Sequence, residues 1–187
     1  MRTVSVTWDK EGARFIASGT YAGHTVAINT PKAPGETRAP TGFSATELLL
    51  AGAGACSAWD VVEILRKRRS EISSLDVVVE GEQQDDPPWT YRRVALHYRI
   101  AGEGMTYGVM ARVVRLSIAR YCSVITTIAA AAAIEATVEL VNGDGTSTGR
   151  KHVELALPYG PGVVAEVTEH DLEVIGVPEP AADEEDE

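Results

Sequence analysis

Ser44-Ala-Thr-Glu47-Leu-Leu-Leu-Ala-Gly-Ala-Gly-Ala-Cys56-Ser-Ala-Trp-Asp60-Val-Val is the stretch on which the reading of this chain turns. It opens with a capping box: a Ser hydroxyl and a Glu carboxylate three residues apart each satisfy a backbone donor of the first helical turn. Apolar and small residues then surround the predicted helix on every side from Leu48 to Trp59, the mark of a helix at the centre of a core. Asp60, Glu63 and Lys67 bring back a polar stripe, and Arg66-Lys-Arg-Arg69 suits a helix C-terminus. Cys56 lies inside this helix, where a thiol does not staple a loop. The one other cysteine lies in Arg120-Tyr-Cys122-Ser-Val, where one predicted helix hands over to another. Two such thiols suggest a redox pair assembled by the fold, although buried cysteines without further context are more often small hydrophobes.

Outward from this helix the chain alternates. Thr3 to Trp8, Arg14 to Ser18 and His24 to Ile28 read as strands of an N-terminal antiparallel sheet, followed by a Pro- and Gly-rich loop at 31–42. Leu75 to Glu82 and Tyr91 to Ile100 read as two more strands around an acidic turn at Asp85-Asp-Pro-Pro88. Thr106 to Tyr121 has helical spacing, Ser123 to Ile134 reads as a second, Ala-rich helix, and Ala136 to Val141 as a closing strand. The order β-β-β-α-β-β-α-α-β predicts an α+β fold of antiparallel sheets around two central apolar helices.

Charge divides the 187 residues near Asn142-Gly-Asp-Gly-Thr-Ser-Thr-Gly149. Residues 1–141 hold 15 basic and 15 acidic residues, whereas 142–187 hold 2 and 12, which accounts for the whole net charge of −10. We therefore expect a domain at 1–141 and an accessory extension at 142–187. The extension comprises a linker, a hairpin at 151–167 and a disordered acidic end at Asp183-Glu-Glu-Asp-Glu187. The excess of negative charge argues against nucleic acid as a partner. The N-terminus has no apolar signal region, and the uncharged runs fall short of the ~18 apolar residues of a membrane span. A cytoplasmic protein without membrane contact is the expectation, with any disulfide transient.

Both cysteine contexts resemble the OsmC/Ohr family, and within it the YhfA-like branch. The first motif matches at Glu47, Cys56, Ser57, Asp60, Val61, Val62, Ile64 and Leu65. The second matches at Leu116, Ser117, Tyr121, Cys122, Ser123 and Val124, with the cysteines 66 positions apart. The resemblance covers roughly 1–141. Many relatives carry Pro where this chain has Ala45, and 142–187 has no counterpart in the ordinary pattern. The resemblance implies an intertwined α+β homodimer with two central helices and a cysteine pair near the dimer interface. It also implies thiol-dependent reduction of organic hydroperoxides, with recycling by a small or protein dithiol.

On that resemblance Cys56 is the peroxidatic residue and Cys122 the resolving one. Peroxide reduction needs a thiolate to attack the O–O bond and a second thiol to condense with the resulting sulfenic acid. An arginine that stabilises the departing oxygen comes, in the family's active branches, from the N-terminal strands, with a Glu on the cysteine helix to orient it. Arg14 and Glu47 are the candidates here. Asp60 is one turn beyond Cys56 on the same face, and a free carboxylate there opposes a thiolate, so a structural hydrogen bond or ion pair is expected for it. His24, His97, His152 and His170 share no ligand spacing with each other or with a cysteine, and no P-loop or dinucleotide glycine pattern is present, so neither a metal nor a cofactor is expected. The alternative function is a non-catalytic relative that binds an apolar ligand or a partner in the same cleft.

Overall fold

A computed structural model describes residues 2–20, 23–29, 35, 37, 39–142, 144–155 and 157. The expected loop at 31–42 falls largely outside these residues, as do the second half of the expected hairpin and the acidic end. The chain divides into two compact units, residues 1–51 and 52–187.

In the first unit β1 (Ser5–Asp9), β2 (Arg14–Ser18) and β3 (Thr25–Asn29) form an antiparallel meander in the order β1-β2-β3. Trp8 faces Phe15 across β1 and β2 with ring centroids 5.0 Å apart, a cross-strand aromatic pair. Gly42 is required where the chain passes β3, because a Cβ there would stand 2.1 Å from the carbonyl oxygen of Ala27.

Helix α1 (Ala45–Lys67) starts with the expected capping box. Ser44 N–H donates to Glu47 Oε2 at 2.6 Å, and Glu47 N–H donates to Ser44 Oγ at 3.2 Å. Within the second unit Ala53, Ser57, Val61, Ile64 and Leu65 make its buried stripe. Burial of each of the three larger aliphatic side chains stabilises the fold by about 1.5–3 kcal/mol. Gly54 lets the helix close on the sheet, since an added Cβ would lie 2.8 Å from Val79 Cγ2. The helix ends with Ser70 N–H donating to the Leu65 carbonyl at 3.0 Å and Arg69 at φ 58°, a left-handed cap on a residue other than glycine. By length and composition alone α1 is apolar enough to cross a membrane. One stripe of the helix, Ala53, Ser57, Val61, Ile64 and Leu65, is nevertheless buried within the protein.

The second unit holds a four-stranded sheet in the order β4-β5-β6-β7, made of β4 (Ile72–Gln83), β5 (Tyr91–Gly102), β6 (Ala133–Val141) and β7 (Ser147–Val153). β4 and β5, the two strands expected around the acidic turn, pair antiparallel. β5 and β6 run parallel, from Arg93 beside Ala133 to Ala101 beside Val141, so the α+β class holds while this sheet is mixed rather than wholly antiparallel. The crossover between them carries α2 (Tyr107–Leu116), a π-helical turn (Ser117–Tyr121) and α3 (Ser123–Ala129). Thr106 caps α2 by accepting from Val109 N–H at 3.3 Å.

Two segments differ from the sequence reading. α3 stops at Ala129 rather than Ile134, because Ala133 and Ile134 enter the parallel ladder opposite Arg93 and Val94. The run 142–149, read as a linker, makes a tight turn into β7: Asn142 N–H donates to the Thr146 carbonyl, Gly145 N–H to the Asn142 carbonyl, both at 2.9 Å, and Gly145 takes φ 84°. β7 pairs antiparallel with β6, and Val153 is buried. Tyr107 on α2 donates its hydroxyl to the His152 carbonyl, Lys151 stands 4.9 Å above the Tyr107 ring, and Arg115 Nε donates to the Glu154 carbonyl at 2.8 Å.

Candidate functional site

The two sulfurs arrive from opposite ends of the sequence motif pair. Cys56 sits half-buried on α1, and Cys122 is fully buried at the junction of the π turn with α3. Helical periodicity puts Asp60 one turn beyond Cys56. The Cys56 sulfur, the Cys122 sulfur and a carboxylate oxygen of Asp60 all lie within 4.8 Å of one another. Both cysteines are free thiols.

Cys122 is held by its backbone on both sides. Its N–H donates to the Ser117 carbonyl at 2.8 Å, closing the wide π turn, and its own carbonyl accepts from Thr126 N–H at 3.0 Å. The extended conformation of Cys122 (φ −76°, ψ 94°) makes it the N-cap of α3, with its sulfur accepting from Ile125 N–H at 3.5 Å. A single π turn inside a helical run often marks a site where a side chain has to be re-aimed. Burial pushes the Cys122 thiol well above its ordinary value, the nearby Cys56 and Asp60 push the same way, and the Ile125 amide opposes them. Cys122 is therefore a neutral thiol near neutral pH.

Beneath the sulfurs lies a chain of buried hydroxyls. Tyr98, from an inward position of β5, is 2.5 Å from Ser57 Oγ, which is 2.9 Å from Ser117 Oγ. Burial raises the Tyr98 hydroxyl far above its usual range, so it stays a donor. Ser117 reaches both the Ser57 carbonyl at 3.1 Å and Asp60 Oδ2 at 3.3 Å, and its single proton serves one of them at a time. Burial raises the Asp60 carboxyl above its ordinary value, with the Ser117 hydrogen bond working against that rise. The structural hydrogen bond expected for Asp60 is thus in place, and it ties α1 to the turn that positions Cys122.

Arg14 and Glu47 occupy other contacts. Arg14 Nε pairs with Asp9 at 3.0 Å, and its terminal nitrogen donates to Thr41 Oγ1 at 3.2 Å. The Glu47 carboxylate accepts from the backbone and hydroxyl of Ser44, which lowers it below its ordinary value. Ser57 and Ser117 were visible in the two motifs as matched positions without a task. Tyr98 gave no signal of its own, because an inward tyrosine in an alternating strand reads as ordinary core. Arg93 with Glu135, His97 between Glu80 and Thr137, and Arg99 with Glu139 form ion pairs and hydrogen bonds across the second sheet, at strand positions that alternate with the inward Tyr98.

A family model described as OsmC-like protein matches residues 34–137. Protein YhfA of Escherichia coli (strain K12) is 32% identical over 114 residues, spanning 61% of this chain and 80% of that protein. Among solved structures, an OsmC-like protein from Mycoplasma pneumoniae superposes with a TM-score of 0.62 at 18% identity, covering 75% of this chain and 97% of the other. An organic hydroperoxide resistance protein from Elizabethkingia anophelis gives a TM-score of 0.58 at 14% identity, over 74% and 94% respectively. At these identities the two structures speak for the fold.

Proposed function

The chain belongs to the OsmC-like protein family, and from that premise we propose that it is a thiol-dependent peroxidase that reduces organic hydroperoxides through Cys56 and Cys122. The observation that carries the reading is the meeting of the two sulfurs: one is half-buried and the other is sealed behind it. The half-buried sulfur suits attack, and the sealed neutral thiol suits resolution.

In the proposed cycle the Cys56 thiolate attacks the terminal oxygen of the hydroperoxide. The O–O bond breaks, Cys56 becomes a sulfenic acid, and the alkoxide leaves as an alcohol after taking a proton. The Cys122 thiol then condenses with the sulfenic acid, forming the disulfide and releasing water. A small or protein dithiol reduces the disulfide, restoring both thiols and leaving as its own disulfide. The cytoplasm supplies such dithiols, which fits a transient rather than structural bridge. Arg14 and Glu47 keep their proposed tasks of stabilising the departing oxygen and orienting that cation; Arg14 would have to exchange its Asp9 pair to act.

The same proposal includes a homodimer. α1 leaves Leu49 44% and Trp59 66% exposed, apolar surface on the helix that also carries Cys56. A second subunit laid against this face would cover it and shield the Cys56 side of the helix.

The test is consumption of cumene hydroperoxide and of hydrogen peroxide with a dithiol reductant. We expect faster consumption of the organic peroxide, its loss in Cys56→Ser, and a sulfenic acid that a dione reagent traps in Cys122→Ser. Undiminished turnover by Cys56→Ser would overturn the assignment.

A further inference from the structure

We propose that Cys56, Asp60 and Cys122 form a binding site for one zinc ion, two thiolates and one carboxylate with the fourth position open. The geometry fits. Zinc binds sulfur at about 2.3 Å and carboxylate oxygen at about 2.0–2.2 Å, so tetrahedral ligand atoms stand roughly 3.5–3.8 Å from one another. The three donor atoms here already lie within 4.8 Å of one another with no ion between them, and small rotamer adjustments close the remainder. Two of the ligands share one helix face at i and i+4, and the third is delivered by the π turn, so no long loop has to be ordered for the ion to bind.

The surroundings resemble those that orient metal ligands. Asp60 Oδ2 accepts from Ser117, and Ser117 is itself held by Ser57 and Tyr98 in a buried chain. Such outer partners fix the rotamers of coordinating side chains. Cys122 is fixed through its backbone to Ser117 and Thr126. Cys56 and Asp60 are only half-buried while Cys122 is sealed, so an ion enters from the Cys56 side and keeps its open position there for water or an exogenous ligand. Paired thiolates select a soft or borderline cation such as zinc over magnesium or calcium. As the bonds form, the two thiol protons leave to solvent, and the ion's two positive charges meet two thiolates and one carboxylate.

This inference rests on the geometry and goes beyond the peroxidase reading, because the same two sulfurs cannot ligate zinc and form a disulfide together. Zinc would hold the reduced couple closed to oxidant, and oxidation would expel the ion.

The experiment uses the full, reduced chain. Cobalt, as a spectroscopic stand-in for zinc, should give a sulfur-to-metal charge-transfer band saturating at one ion per chain. Cys56→Ser and Cys122→Ser should remove the band. Asp60→Asn should weaken zinc binding by at least about tenfold, the scale on which loss of even an outer partner weakens a metal site. A second measurement needs no variant: one equivalent of zinc should protect both thiols of the wild type from iodoacetamide, and magnesium should not. Undiminished binding in Asp60→Asn, no charge-transfer band, or unprotected thiols in the presence of zinc overturns the site. Zinc binding without peroxide turnover leaves this site standing and removes the peroxidase, whereas turnover without zinc binding does the reverse.

Discussion

Cys122 donates its backbone N–H to the Ser117 carbonyl five residues earlier, at 2.8 Å, and the hydroxyl of that same serine reaches Asp60 one helical turn from Cys56. One residue therefore positions both halves of the cysteine site, the sealed Cys122 through its main chain and the α1 carboxylate through its side chain.

The unequal burial of the two thiols predicts an order of modification. Iodoacetamide at neutral pH should label Cys56 first, with Cys122 labelled at least about tenfold more slowly because it is sealed and its raised thiol stays protonated. Peptide mass spectrometry over a time course reads the order, and equal rates would contradict the placement of Cys122.

Asp60 predicts a pH dependence of stability. Its folded-state value lies above the unfolded one, mainly through burial. The folded state therefore holds the proton more tightly, and stability contributed by this group falls as pH rises through that window. Asp60→Asn keeps an oxygen to accept from Ser117 and carries no charge. Its melting temperature at pH 7 should equal or exceed that of the wild type. The difference should vanish below about pH 3, where the aspartate is protonated in both states. A variant less stable at pH 7 would mean that the charge itself is needed.

Gly52 and Gly54 predict opposite signs on one helix. A methyl group at Gly54 would meet Val79 Cγ2 at 2.8 Å, whereas at Gly52 it meets nothing within 4 Å. Gly54→Ala should lose about 1 kcal/mol, overpacking outweighing the gain in helix propensity, while Gly52→Ala should gain up to about 1 kcal/mol. Denaturant midpoints at equal slope decide it.

Much of this was legible in the sequence. The capping box at Ser44 and Glu47, the strand alternation around Tyr91 to Ile100 and the two cysteine motifs all report local physics, which side chains obey wherever the segment docks. Pairing partners were not legible, because alternation says which face of β5 is buried and not whether Ala133 or some other residue runs alongside it. The end of α3 was missed for a related reason: the alanines after Ala129 suit a helix, and only the ladder with β5 draws Ala133 and Ile134 out of it. β7 gave no alternation to read, since Ser147 through His152 are exposed on both faces and only Val153 is buried. The Tyr98–Ser57–Ser117 chain joins three elements and has no signature in any one of them.

The extension predicts two unlike truncations. Ending the chain after Leu157 keeps β7, the buried Val153 and the contacts of Tyr107 and Arg115, so fold and thiol reactivity should remain. Ending it after Val141 strips β6 of β7, one of its two partners, and opens a sheet edge, so that truncation should aggregate or melt several degrees lower. We propose residues 158–187 as the dispensable part. Loss of thiol reactivity in the chain that ends after Leu157 would refute that division.

The proposed dimer predicts a particle of twice the 20.0 kDa chain mass in light scattering at micromolar concentration. Trp59→Glu, a charge on the exposed face of α1, should shift it toward the monomer. A stable wild-type monomer would remove the second subunit from the Cys56 face of α1.

Parallel pairing of β5 with β6 also imposes an order of events on the newborn chain. β4 with β5, and β6 with β7, zip from nearby turns, but Arg93 meets Ala133 only after α2, the π turn and α3 have been made and folded back. Contacts that close such long loops form late. Cys122 lies on that return path, so an unfinished chain carries two solitary thiols, each exposed to whatever oxidant it meets. They become a couple only when the last crossover closes.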